Sequence, residues 1–249
     1  MRIIGGKLRG KRLTSPEGTK VRPTTGRIRE TVFNILSSKN ALTGARVLDL
    51  FCGSGALGIE ALSRGAKEAV FIDKSRESIK ATVQNLAACG ITARGGQNEG
   101  RGLAQTTAVQ KQAGKRNNTP SNEEHTLSVS DGGFAEGAAD GAAELAMGDI
   151  TGGAAKPVTR VYNTDFAVAL RKLEGEQFDL IFLDPPYFDN LEQKCLDLIE
   201  KHSVLAANGM IVFEHHGKND LSKHAQGYII DTRKFGSILI SFLQKEHGI

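Results

Sequence analysis

A glycine-rich turn between an apolar strand and a helix constrains the fold of this 249-residue chain more than any other feature. The run RVLDLF at 46–51 predicts a buried strand. Gly53, Gly55 and Gly58 follow it in the pattern G-x-G-x-x-G and open a segment with helical periodicity. Because glycine has no Cβ, the backbone of such a turn can approach a ligand closely. This order of elements is typical of an open α/β sheet that binds its ligand at the carboxyl ends of the strands.

Apolar runs and helical segments alternate along the rest of the chain. Strands are predicted at 69–73, 159–163, 178–183 and 210–214. A helix capped by Ser75 follows the first of these, and its predicted apolar face consists of Ile79, Val83, Leu86 and Ala87. The last two β-rich runs, 228–232 and 237–243, predict an antiparallel pair. The alternation predicts an α/β fold with a mostly parallel sheet covered by helices on both faces.

Residues 93–157 interrupt this alternation. The segment holds 12 of the 29 glycines and few large apolar residues, so it cannot build a core of its own. We expect a disordered insertion at the amino edge of the sheet, away from the glycine turn. A short Gly/Ser bridge in place of residues 94–156 should therefore leave the function intact. Without the insertion 184 residues remain, the size of one α/β domain, so the chain is predicted to be a single domain over 1–249.

Two acidic residues beside the glycine turn indicate which ligand it holds. Asp73 ends the second predicted strand, where a carboxylate can accept both hydroxyls of a ribose in a dinucleotide or in S-adenosylmethionine. Asp49 lies at the mouth of this turn, and its charge would repel a pyrophosphate but attract an ammonium or sulfonium group. Asp49 therefore favours S-adenosylmethionine. Either aspartate could instead cap a local turn.

The sequence Asp184-Pro185-Pro186-Tyr187 follows the apolar run FDLIFL. Prolines lack an N–H and fix the backbone, so that nearby carbonyls are left to face a ligand. An exocyclic base amine fits this edge, because the Asp184 carboxylate and the Pro185 carbonyl can each accept one of its hydrogens while Tyr187 stacks on the ring. These bonds would align the nitrogen lone pair with an electrophilic methyl group, without a metal or a covalent nucleophile. The alternative is a plain proline-rich turn.

The chain resembles the bacterial RsmD family of class I S-adenosylmethionine-dependent methyltransferases in the segments MRIIGGKLRGKRL, RPTTGRIRETVFNIL, DLFCGSG, GALGIEALSRGA, FDLIFLDPPY, FEHH and RKFGSILISFL. The resemblance covers nearly the whole chain outside 93–157. It implies a Rossmann-like, seven-stranded, mostly parallel sheet with an N-terminal β-hairpin. It also implies S-adenosyl-L-methionine as cofactor and methylation of guanine N2 in 16S ribosomal RNA, within a small-subunit assembly particle.

The resemblance further implies roles for individual residues. The catalytic clamp would consist of Asp184, Pro185, Pro186 and Tyr187. The cofactor would be held by Arg22, Thr24, Asp49, Phe51, Gly53, Ser54, Gly55, Asp73, Lys74, Asp165 and Phe166. The acid expected to bind the adenine amine is Asp149 or Asp165, and Asp165 is preferred because a β-like run precedes it and a helical run follows. Arg22 and Thr24 could instead belong to the cap of the first helix.

The first thirty residues carry a net charge of +7, since nine Lys/Arg face two Glu. Residues 1–40 are predicted to form a hairpin and a helix. The hairpin would contact RNA phosphates through Arg2, Lys7, Arg9, Lys11 and Arg12. Such contacts supply affinity rather than base choice. The alternative is a charged edge strand that limits aggregation.

The three cysteines make neither a disulfide framework nor a metal knuckle, so a reducing cytoplasm is predicted. Cys52 lies inside the glycine turn and is expected to pack there rather than act as a nucleophile. No apolar stretch is long enough for a membrane span. No metal site is predicted either, because EHH at 214–216 lacks the spacing of a helical zinc pair.

Three alternative functions remain open. The same amine chemistry could act on adenine N6 in DNA or RNA. The run GSGALG could hold the nicotinamide cofactor of an oxidoreductase. The chain could also be a non-catalytic RNA-binding assembly factor, and replacement of Asp184 would then leave its cellular function unchanged.

Overall fold

The computed structural model describes residues 1–16, 26–95, 157–186, 191–216, 221 and 225–246. The chain divides into two units, Met1–Gln97 with Ala154–Ile249, and Asn98–Gly153. The first unit contains all the helices and strands given below. The second unit lies outside the described residues, and so does most of the insertion that the sequence predicts as disordered.

The described residues form helices and strands that alternate as predicted. The helices are α1 (Gly26–Ser38), α2 (Ala56–Ser63), α3 (Arg76–Ala88), α4 (Phe166–Lys172) and α5 (Glu192–Lys201). The strands are β1 (Arg46–Asp49), β2 (Glu68–Asp73), β3 (Arg94–Gly95), β4 (Val158–Asn163), β5 (Phe178–Leu183), β6 (Leu205–His216), β7 (Tyr228–Phe235) and β8 (Ile238–Lys245).

Within the described residues the strands form one sheet in the order β3-β4-β2-β1-β5-β6-β8-β7. Neighbouring strands from β3 to β6 are parallel, whereas β8 is antiparallel to both β6 and β7. This confirms the Rossmann-like α/β fold, with β3 as a two-residue addition at one edge. The chain runs outward from β1 to β2 and β4 on one side, and to β5 and β6 on the other. Open α/β sheets bind ligands outside the carboxyl ends of strands at such a switch point.

The edge strand β3 is the last described part of the chain before the insertion. Arg94 pairs with Arg160 and Gly95 with Val161 in parallel register. These two residues therefore run beside the middle of β4, in the direction of its carboxyl end. The expected position of the insertion at the amino edge of the sheet concerns residues outside the described part of the chain, and it stays a prediction.

The sheet separates two apolar layers. Because successive side chains of a strand point to opposite faces, Val47 and Phe182 pack with α1, α2 and α3, whereas Leu48 and Ile181 pack with α4 and α5. The same alternation places the residues two positions beyond Val47 and Phe182, Asp49 and Asp184, on the α1–α3 face. No helix in the described ranges has the length and apolar character needed to cross a membrane.

The buried face of α3 differs from the predicted one. The helix begins as predicted, with the Ser75 hydroxyl accepting a hydrogen bond from the Ser78 N–H at 3.2 Å. Its buried residues are Ser78, Ala81, Thr82, Asn85 and Leu86. Val83, expected inside, is 39% exposed. The apolar pattern fails here because Thr82 and Asn85 bond backbone groups of the adjoining loop, which turns this polar face inward.

Candidate active site

Side chains of α3 form hydrogen bonds with the glycine turn after β1. Gly53 and Gly55 adopt φ of +53° and +74°, in the left-handed region that glycine populates most readily. The Thr82 hydroxyl donates to the Gly53 carbonyl at 3.0 Å, and the Asn85 Nδ2 donates to the Ser54 carbonyl at 2.8 Å. Two consecutive carbonyls of the turn are therefore directed toward α3.

The three glycines of the motif meet different surroundings. A Cβ added to Gly58 would lie 2.3 Å from the Phe71 ring, and one added to Gly55 would lie 2.9 Å from Thr82 Cγ2. These two glycines allow the turn and α2 to pack closely on their neighbours. A Cβ added to Gly53 would meet no atom within 4 Å among the described residues. The turn is therefore open to a ligand at Gly53.

Asp73, at the carboxyl end of β2, ties this strand to the turn. Its carboxylate accepts hydrogen bonds from the N–H groups of Gly53 at 2.9 Å and Ser75 at 2.8 Å. Lys74 beside it is exposed. Asp73 thus has the local capping role left open above, and its carboxylate oxygens lie at the edge where a ribose would be held.

Asp49 is a carboxyl group with little access to water. It is 2% exposed, and its Oδ2 accepts a hydrogen bond from the Gly58 N–H in the first turn of α2 at 3.1 Å. Burial raises the pKa of Asp49 to about 7, with a further contribution from the charge of Asp73. Within the described residues Asp49 forms no ion pair with a basic side chain.

Asp184 follows β5 on the same face of the sheet. It is partly buried, Pro185 is buried, and Pro186 is exposed. Burial raises the pKa of Asp184 well above its ordinary range, and the charges of Glu214 and Asp49 raise it further. Three acidic side chains from β1, β5 and β6 therefore act on one another at this edge, an arrangement that favours a cationic ligand.

The carboxyl end of β4 adds an aromatic pair. The rings of Phe51 and Phe166 lie 5.2 Å apart, and the Lys194 Nζ lies 5.4 Å from the centre of the Phe166 ring. Asp165 is exposed and caps α4, accepting a hydrogen bond from the Ala167 N–H at 2.9 Å. The predicted cofactor residues from the turn, β2 and β4 thus share one edge of the sheet.

Four predicted residues lie outside the described part of the chain. These are Arg22, Thr24, Asp149 and Tyr187, and their roles stay predictions. Cys52 is buried with its Sγ 3.5 Å from the Thr82 hydroxyl, and burial raises the pKa of its thiol well above the ordinary range. A thiol in this state is a poor nucleophile, which agrees with the predicted packing role.

The N-terminal segment forms the predicted hairpin around one antiparallel bridge between Arg2 and Arg12. All five basic side chains predicted to contact RNA are exposed. The backbone of the hairpin is held by buried side chains of α2. The Glu60 carboxylate accepts from the Ile4 and Gly5 N–H groups at 2.7 and 2.8 Å, and it is fully buried. The hairpin is thus anchored on the same core that carries the glycine turn.

The sequence profile of the RsmD family, described as Conserved hypothetical protein 95, matches residues 1–123 and 146–244. The chain belongs to the RsmD family of methyltransferases. A curated relative, Ribosomal RNA small subunit methyltransferase D of Escherichia coli K12, is 27% identical over 99% of this chain and 90% of its own length. YlbH of Bacillus subtilis, a candidate rRNA methyltransferase, is 28% identical over 94% of this chain and 92% of its own length.

Solved structures agree with this RsmD assignment. The Escherichia coli protein yhhF superimposes with a TM-score of 0.64 at 25% identity, covering 100% of this chain and 99% of its own. A hypothetical protein of Thermus thermophilus shares the fold, with a TM-score of 0.63 at 22% identity over 98% and 99% of the two chains. Membership of a methyltransferase family removes the oxidoreductase alternative.

The residues of this RsmD methyltransferase fit S-adenosyl-L-methionine, the methyl donor of the class I fold. The donor carries a positive sulfonium, which would favour the ionised forms of Asp49 and Asp184, two acids whose pKa values are raised in the empty protein and which have no basic partner among the described residues. The open space at Gly53 provides room beside them. These acidic residues and the space at Gly53 therefore suit a cationic cofactor better than a pyrophosphate.

Sequence reasoning missed Glu214 and the two polar residues of α3. Glu214 joins the acidic cluster because β6 pairs with β5 so that Phe213 lies opposite Leu183. Its only sequence signal is its place after the apolar run MIVF. Thr82 carried a sequence signal, since it lies four residues before Leu86 of the predicted apolar face, and Asn85 lies three residues after Thr82.

Proposed function

We propose that this RsmD methyltransferase transfers a methyl group from S-adenosyl-L-methionine to N2 of a guanine in 16S ribosomal RNA, within a small-subunit assembly particle. The observation that carries the proposal is the position of Asp184, Pro185 and Pro186. They follow the central strand β5 directly, beside Asp49 of the cofactor turn on β1. The rRNA methyltransferase names of the curated relatives support the substrate class.

The residues after β5 would hold the amine. The Asp184 carboxylate and the Pro185 carbonyl would each accept one hydrogen of the guanine N2 amine, with Tyr187 stacked on the base. Pro185 and Pro186 have no N–H to compete for these acceptors, and the rigid backbone fixes their direction. Held in this way, the nitrogen lone pair is oriented for attack on the methyl carbon of the donor. After the transfer, the methylated nitrogen loses one proton to solvent.

The edge formed by β1, β2 and β4 would hold the donor, which supplies an electrophilic methyl group when bound. Asp49 would face its positive end, Asp73 its ribose, and Asp165 its adenine amine. Phe51, Phe166 and Lys74 would line the same edge. Arg22 and Thr24 would complete the cofactor site.

The N-terminal hairpin would supply the RNA affinity. Its exposed Arg2, Lys7, Arg9, Lys11 and Arg12 can neutralise phosphates along a backbone, so binding should weaken steeply with salt. These contacts place the RNA but do not choose the base. Choice of the amine is assigned to the clamp after β5.

The test is transfer of a radiolabelled methyl group to naked 16S rRNA and to 30S particles from cells that lack this protein. Nucleosides from the labelled RNA are then identified by mass analysis. The proposal predicts N2-methylguanosine as the labelled product. Label only in N6-methyladenine, or label in neither substrate, would contradict it.

A further inference from the structure

The side-chain amide of Asn85 in helix α3 is buried and makes four hydrogen bonds to residues outside the helix. It is 1% exposed. Its Nδ2 donates to the carbonyls of Thr14 at 2.9 Å and Ser54 at 2.8 Å. Its Oδ1 accepts from the N–H of Thr14 at 2.8 Å and from the Thr14 hydroxyl at 3.0 Å. Both donors and both acceptor positions of the amide are thus occupied.

These bonds join two regions that are far apart in sequence. Thr14 follows Leu13, whose N–H closes the antiparallel N-terminal hairpin by donating to the Met1 carbonyl at 2.9 Å. Ser54 lies between Gly53 and Gly55 in the glycine turn. Because a peptide unit is planar and trans, a carbonyl held by α3 forces the N–H of the next residue to point away from α3. A shift of Asn85 would therefore rotate the peptides of the turn.

Two neighbouring buried residues each form hydrogen bonds with only one of the two regions, the hairpin or the glycine turn. Ser63 of α2 binds the hairpin alone, since its hydroxyl donates to the Gly5 carbonyl at 2.5 Å and accepts from the Leu8 N–H at 2.9 Å. Thr82 binds the turn alone, through the Gly53 carbonyl. Of these buried side chains, Asn85 bonds both regions, and the chain thus provides matched controls for each half.

We propose that Asn85 is a positioning residue that couples the two substrates, so that RNA bound on the N-terminal hairpin and the methyl donor bound on the glycine turn strengthen each other's binding. The proposal rests on the function proposed above. Coupling of this kind is reciprocal, because each ligand must change the other's affinity by the same factor. An asparagine suits the role because one short amide supplies two donors and two acceptors in one plane.

The experiment measures the affinity of S-adenosylhomocysteine with and without saturating 16S rRNA, by calorimetry. This product carries no transferable methyl group, so no turnover disturbs the titration. In the wild type we expect RNA to raise the affinity about fivefold or more, the lower end of typical coupling between sites. In Asn85→Ala that factor should fall to about one.

Two control variants separate coupling from simple loss of an anchor. Ser63→Ala should weaken RNA binding and Thr82→Ala should weaken S-adenosylhomocysteine binding, but each should keep the wild-type coupling factor. Coupling that survives in Asn85→Ala, or that disappears equally in both controls, would overturn the proposal. So would a wild type that shows no coupling at all.

A measurement on the wild type covers the case in which Asn85→Ala does not fold. Hydrogen exchange of the Thr14 amide should slow severalfold when S-adenosylhomocysteine alone is bound, and an unchanged rate would contradict the role of Asn85. Methyl transfer by the wild type to 16S rRNA and to 30S particles is measured in parallel. Transfer without coupling removes only this inference, whereas no transfer to either substrate removes the proposed function.

Discussion

The two ends of the central sheet hold charged side chains in opposite ways. At the amino ends, Arg46 and Arg160 both pair with Glu68 and Glu176, at N···O distances between 2.6 and 2.9 Å. Hydrogen bonding to Arg160 lowers the pKa of Glu176. At the carboxyl ends, the pKa values of Asp49 and Asp184 are raised, mainly by burial.

This difference separates charges that stabilise the fold from charges kept for a ligand. A paired network satisfies its own members, and it works equally well without any ligand. Buried carboxyl groups without a basic partner reduce the stability of the empty protein. We propose that Asp49 and Asp184 serve a cationic ligand at the switch point of the sheet.

The largest expected effect comes from Asp184→Ala. Because Asp184 is proposed to hold the reacting amine, its loss should lower kcat/KM by about 10²–10³-fold, while RNA affinity stays within about twofold. Because the variant also removes a buried acid, the melting temperature of the cofactor-free protein should not fall. Methyl-transfer kinetics and thermal unfolding check both expectations.

Asp179, near the amino end of the same strand, provides the matched control. Its Oδ2 accepts a hydrogen bond from the Arg46 N–H at 2.8 Å, and it is exposed. Asp179→Asn should keep methyl transfer within about twofold. Equal losses in the two variants would show that the two ends of β5 do not differ as described.

Asp49, Asp184 and Glu214 form an acidic edge at the carboxyl ends of the strands. A pH series on the cofactor-free protein tests how Asp49 affects stability there. The pKa of Asp49 is raised to about 7 in the folded state, whereas an aspartate in an unfolded chain has a pKa of about 3.9. Its contribution to stability is therefore complete below about pH 4 and is lost as the pH rises through about 7. The free energy of unfolding should fall between about pH 4 and 7, and Asp49→Asn should flatten that fall. Parallel curves for the two proteins, measured by urea unfolding, would rule out this role of Asp49.

A smaller effect is expected from Glu176→Gln at the opposite edge. The substitution weakens contacts to Arg160 and Arg46 in a partly exposed network, and should cost about 1 kcal/mol of stability. The loss should shrink at high salt, and methyl transfer should be unchanged. A fall in activity without a fall in stability would reverse the assigned roles of the two edges.

The smallest effect is expected from replacing residues 98–153 by a short Gly/Ser bridge. This deletion keeps β3 and β4, so the sheet edge and Asp165 remain in place. Neither methyl transfer nor stability should change measurably from those of the full chain. Loss of S-adenosylhomocysteine binding, measured by calorimetry, would show that the segment contributes to the cofactor site.

The central strands could be predicted from the sequence because parallel strands covered on both faces appear as continuous apolar runs. The bounds of β5 agree with the run FDLIFL residue for residue. The strand β6 was predicted only at 210–214 but extends over Leu205–His216. Its pairing with β5 shifts register between Phe178 and Leu180, and no local sequence pattern marks that irregularity.

The acidic edge was predictable where a motif marks it. Asp49 and Asp184 stand next to a glycine turn and a proline pair, so their position at strand ends follows from the sequence. Glu214 depends on the register between β5 and β6, which apolar runs leave open. Asn85 depends on a contact with Thr14, 71 residues away along the chain, and the predicted apolar face of α3 includes Val83 in place of Asn85.

The most direct test of the central claim is a crystal structure of the protein with bound S-adenosyl-L-methionine. The account predicts the donor over the glycine turn at the carboxyl edge, with its sulfonium end beside Asp49 and Asp184. A different site exists for comparison, a cavity of about 550 Å³ near the amino ends of the strands, lined in part by Lys39, Lys67 and Asn208. A donor bound in that cavity, or with its sulfonium turned away from both aspartates, would contradict the account.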